Sequence, residues 1–117
     1  MEKNEIKVGL PINITSMEGF FVISEVDGDK ATLYSITNGT EDKRYVDDIE
    51  FAVNSATRSM NIIPLNTISD NIDETILLVA DEIKKLEESI LLHRERIKKL
   101  NGLKENCEEY YTLDELE

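Results

Sequence analysis

Between Ile76 and Leu100 the chain repeats an apolar pair every seven residues. Ile76, Ile83, Ile90 and Ile97 fall seven apart, and Val79, Leu86, His93 and Leu100 each follow three later. These are the a and d positions of four heptads, and seven of the eight are branched aliphatics. A strict 3.5-residue spacing keeps one seam turned toward a partner helix, and β-branched residues at a with leucine at d suit a two-stranded parallel coil. The spacing predicts a helix that opens at Asn71, with Glu74 completing a capping box and Asp73 near the positive end of the dipole. Asn101-Gly102 is the expected stop, as a left-handed cap. Such a helix spans roughly 45 Å, longer than a small β module is wide. An amphipathic helix lying on its own sheet also shows a stripe. The strict spacing and the length favour a seam that meets a second helix instead.

The flanks complicate a parallel dimer. There each g position meets e of the next heptad on the partner. Glu82 would face Glu87, Ser89 would face Arg94, and Arg96 would face Asn101, so no pair attracts. A homo-oligomer is expected, a dimer in the simplest case, with antiparallel pairing, a trimer or a bundle left open. Leu77, Leu78, Leu91 and Leu92 occupy b and c and widen the apolar surface, toward the β module or further helices. His93 is the one polar seam residue. It can fix register at some cost in stability, and as an ionisable group in the seam it would make association sense pH. Cys107 continues the d series as the single cysteine, so no intrachain disulfide can form.

The residues before the helix read as strands. Ile6, Val8, Leu10, Ile12 and Ile14 alternate, which places them on one side of a strand. Pro11 lacks an N–H, so an edge strand or a break is expected there. Phe20 to Val26 and Lys30 to Thr37 are separated by Asp27-Gly28, and Asn38-Gly39 leads on to Arg44 to Val53. Asx-Gly pairs between apolar runs mark tight hairpins. Met60 to Leu65 is a further strand candidate, ended by Pro64. The predicted class is α+β: a small antiparallel β module over 1–68, a long helix over 69–102 and an acidic tail over 103–117. Over residues 5–55 the strand lengths resemble those of SH3-like and Tudor-like small barrels, which implies a closed sheet; a meander covered by a helix is the other form expected.

Charge narrows the partners. The 117 residues hold 25 acids and 13 bases, for a formal net charge of −12. Such a chain is repelled at long range by nucleic acid and anionic membranes and favours a basic protein partner. Residues 84–104 are locally basic, with seven bases and three acids. With no signal peptide and no apolar run long enough to span a bilayer, a cytoplasmic protein is expected.

No catalytic or metal motif emerges. The lone Cys107 and lone His93 are fourteen residues apart, and no His/Cys cluster has zinc spacing. Asp27 and Asp29, and Asp47, Asp48 and Glu50, read as solvated turn and edge charges, too few for a calcium loop. No cofactor and no enzymatic activity are expected. Candidate partner-binding residues are Tyr34 and Tyr45, Asp47 and Asp48, and Glu108, Glu109, Tyr110 and Tyr111 of the tail. Phe51 is assigned to the core. Arg58, Arg94, Arg96, Lys98 and Lys99 are the candidate anion-binding set.

The favoured reading is a non-enzymatic, oligomeric protein-binding module. In size, acidity and lack of motifs the chain resembles phage-encoded inhibitors of host defence, anti-CRISPR proteins among them. That resemblance implies a nucleic-acid mimic set against a basic cleft. The alternatives are a sponge for a nucleotide signal at an oligomer interface, and a nucleic-acid-binding barrel, against which the acidity of residues 1–75 speaks.

Overall fold

Two glycine turns organise the sheet. In the computed structural model, which describes residues 1–56 and 59–116 with side chains to residue 112, β2 (Phe20–Asp27) pairs antiparallel with β3 (Lys30–Ser35). Asp27 lies opposite Lys30, so the loop is Gly28-Asp29, one residue later than the Asp27-Gly28 reading. Gly28 sits at φ +61, where an L side chain is strained and glycine is not. The loop 36–40 then returns the chain to β4 (Glu41–Tyr45), with Gly39 at φ +68 and the Ser35 N–H donating to the Thr40 carbonyl at 2.8 Å.

β1 (Pro11–Ile14) pairs with β2 on one side and with β5 (Met60–Ile62) on the other, giving the order β4-β3-β2-β1-β5. Every pairing is antiparallel and the sheet is open. Of the two expected forms, the meander is adopted and the barrel is not. β1 is an inner strand, so of the two forms expected at Pro11 the edge position is not adopted, whereas the break is, since the strand begins at that residue. The proline is tolerated because it is the first residue of the strand, and its carbonyl accepts the Ile63 N–H at 3.1 Å. The alternation from Ile6 also overstates this strand. Gly9 turns at φ +97 and Val8 is exposed, so of residues 6–14 only Pro11–Ile14 form the strand.

One sheet face carries the core. Ile12, Ile14, Phe21, Ile23, Ala31, Leu33 and Met60 bury there with Ile6 and with Val46 and Ile49 of α1 (Val46–Asn54). This helix replaces the strand expected over 44–53. Val46, Ile49 and Val53 follow helical i, i+3, i+7 spacing, and Asp47 and Asp48 favour the positive end of the helix dipole. The strand reading of this segment places Phe51 in the core. It was wrong for Phe51, which is 76% exposed and not core.

α2 runs from Leu65 to Leu116, longer than expected at both ends. Pro64 precedes it, and its carbonyl accepts the Ile68 N–H at 3.1 Å. Asn71 is therefore not an N-cap but lies inside the helix. Ile68 is buried and Asn71, Ile72 and Thr75 are half-buried, the i, i+3, i+4, i+7 face of the first turns. Asn101-Gly102 does not end the helix. Glycine costs about 1 kcal/mol against alanine within a helix, and the helix-forming residues Leu103, Lys104 and Glu105 follow it. The acidic tail is accordingly helical as far as Leu116. The chain divides into two units, residues 1–77 and a second that begins at Leu78 and consists of α2 alone.

Candidate functional site

The seam is helical throughout and exposed throughout. Its seven aliphatic residues retain between 49% and 64% of their accessible surface, Val79 the least and Leu86 the most. His93 is exposed as well. Leu77, Leu78, Leu91 and Leu92 are exposed too. Single exposed leucines are ordinary on a surface, whereas a contiguous apolar strip marks a contact site. Length alone does not stabilise a lone helix; packing of its apolar face does. Within residues 78–112, the ion pair between Lys85 Nζ and Asp81 Oδ2, 3.0 Å at i, i+4, adds only a few tenths of a kcal/mol.

The strip contains a duplication that the heptad reading passed over. Residues 76–89 and 90–103 are identical at seven of fourteen positions, the Ile-Leu-Leu, Ile-Lys-Lys and Leu that set the seam and its outer face. The copies differ where they flank the seam. At the e and g positions the first carries Ala80, Glu82, Glu87 and Ser89, and the second Arg94, Arg96, Asn101 and Leu103. The same apolar surface is thus edged with acid in one copy and with base in the other. Beyond Leu100 the seam positions become Lys104, Cys107 and Tyr111, so the apolar series stops although the helix continues.

The other candidates do not converge. Tyr34 and Tyr45 share the sheet face opposite the core, with 40% and 49% exposure. Tyr45 lies across from Lys30, four residues before Tyr34 on β3, so the two positions are roughly 13 Å apart along the strands. Asp47 binds Lys3 Nζ at 2.5 Å, and this contact, by hydrogen bond first and charge second, raises the Lys3 pKa above its usual 10.5. Asp48 is exposed on α1. Glu108, Glu109, Tyr110 and Tyr111 are exposed on the last turns of α2, with the two tyrosine rings edge to face at 5.5 Å. Among the proposed anion ligands, Arg94 and Lys98 share one helix face by i, i+4 spacing and Arg96 and Lys99 another by i, i+3. Arg58 lies outside the described residues.

Among the described residues no three His, Cys, Asp or Glu side chains are grouped to hold a metal ion, and no helix is long and apolar enough to cross a membrane. Cys107 is free and exposed. The feature with the chemistry of a site is therefore the seam, whose chemistry is burial. Comparison with protein-family models, curated proteins and solved structures gave no match.

Proposed function

We propose that this chain is a non-enzymatic binding module that self-associates through α2 and offers acidic surface to a basic protein partner. The observation that carries the reading is the row of aliphatic seam residues from Ile76 to Leu100, all about half exposed on one regular helix. Burying an isoleucine or leucine side chain fully is worth roughly 1.5–3 kcal/mol. Seven such residues supply ample driving force for helix pairing even at partial burial. The net charge of −12 supports the second half, since it repels nucleic acid and attracts basic surfaces.

Sedimentation equilibrium tests the first half. The wild-type chain is expected at twice 13.4 kDa or more, and Ile83→Asp with Ile90→Asp at the monomer mass. A wild-type chain that stays monomeric at high micromolar concentration sinks the reading. A gel shift at low salt with duplex and single-stranded DNA is expected to show no complex.

A further inference from the structure

We propose that the partner of the seam is a second copy of this chain running antiparallel, in a register centred on the level of residue 88. The inference rests on the self-association proposed above and adds its geometry.

Antiparallel coils layer a against d of the partner. Only one register pairs all eight residues from Ile76 to Leu100 with one another. It sets Ile76 against Leu100 of the second copy, Val79 against Ile97, Ile83 against His93, and Leu86 against Ile90, each layer occurring twice by symmetry. A shift of one heptad sets Ile76 and Val79 against Cys107 and Lys104 in one direction, and Ile97 and Leu100 against Ile72 and Ser69 in the other. The register also lays the acid-edged copy of the repeat along the base-edged copy of the other chain. In antiparallel pairs g neighbours g, and here Glu82 meets Arg96 of the second copy twice, while Ser89 meets itself. On the e side Ala80 meets Arg94, and Glu87 meets Glu87 once, at the two-fold axis. The parallel dimer has the reverse balance. It makes the Glu82 to Glu87 repulsion twice and gains no attraction.

His93 favours the same choice. In a parallel dimer it faces its own symmetry mate, placing two imidazoles in one layer. In the antiparallel register it faces Ile83, an aliphatic wall, and each copy contributes one such layer.

Cys107 is free and exposed on the same helix, so it can carry a nitroxide label in the full-length chain. In the antiparallel register the two labelled positions lie 38 residues apart along the paired helices, since each is 19 from the centre. At about 1.5 Å per residue this is roughly 57 Å, within reach of pulsed electron spin resonance. In a parallel dimer Cys107 would face Cys107, within roughly 20 Å for the labels, and the unlabelled thiols would be cross-linked to an interchain disulfide by an added oxidant such as diamide, which takes up their two electrons and two protons. Glu82→Arg gives an independent sign. It weakens the antiparallel dimer roughly tenfold by turning two attractions into repulsions, whereas it strengthens a parallel one by pairing with Glu87. Glu82→Arg with Arg96→Glu restores the antiparallel dimer. A dimer with a short label distance, or one tightened by Glu82→Arg, overturns the register and leaves self-association standing. A monomer by sedimentation removes both.

Discussion

Lys30 and Tyr45 are directly opposed across β3 and β4, and the Lys30 ammonium lies 5.3 Å from the centre of the Tyr45 ring. The pair sits where β4 gives way to α1, beside the hydrogen bond from the Val46 N–H to the Asp29 carbonyl at 2.8 Å. The ring thus works within its own sheet, on the side chain that follows the β2–β3 loop. At an exposed site such a contact is worth about 0.5–1 kcal/mol. Tyr45→Leu is expected to lower stability by about that much in urea unfolding, and a double-mutant cycle with Lys30→Met should return most of it as coupling. Additive single effects would show that the contact is not made in solution.

Ile49 and Phe51 are two residues apart on α1 and face opposite ways. Ile49→Ala should cost about 2–4 kcal/mol, since a fully buried side chain leaves a cavity. Phe51→Ala should fall within about 0.5 kcal/mol of the wild type, because the ring is mostly in solvent. Equal losses in denaturant unfolding would contradict the helical phase of this segment.

Two glycines should respond to alanine with opposite signs. Gly19 holds φ +85, and a Cβ there would come within 2.8 Å of Thr37 Oγ1. Gly19→Ala is expected to cost about 1–2 kcal/mol. Gly102 is helical with open space around it, so Gly102→Ala should stabilise α2 by about 0.5–1 kcal/mol and raise the temperature at which its circular dichroism signal melts. A destabilising Gly102→Ala would point to a helix break there after all.

The Lys3–Asp47 contact ties the N-terminal turn to the first turn of α1. Asp47 raises the Lys3 pKa, with smaller contributions of the same sign from Glu50 and Asp29. A raised ammonium pKa means that its stabilisation is complete below the usual 10.5 and is lost as pH climbs through the folded value. The wild type should therefore lose stability above pH 10.5 more steeply than Lys3→Met, measured as the difference between two urea-unfolding series. Parallel pH curves would remove any role for the pair.

What the sequence alone determined was local. Asp27-Gly28 and Asn38-Gly39 announced two hairpins because a tight turn needs positive φ, and only the loop register moved. The heptad series announced a regular helix with an apolar seam because the 3.5-residue period has no other simple use. Tertiary structure decided what local signals leave open. Ile49, Phe51 and Val53 fit either period two or period 3.6, and burial of Val46 and Ile49 under the sheet selected the helix. Pro11 suggested an edge or a break; the strand does start there, yet β5, arriving from Met60–Ile62 almost fifty residues later, made β1 an inner strand. Pairing at that separation leaves no trace in a short window. The exposure of the seam also belongs to the structure, since periodicity shows that residues share a face but not whether the same chain covers it. Asn71 and Gly102 looked like helix ends because their residue types fit caps. Neither ends α2, since one cap residue is worth about 1 kcal/mol and the turns beyond it outweigh that.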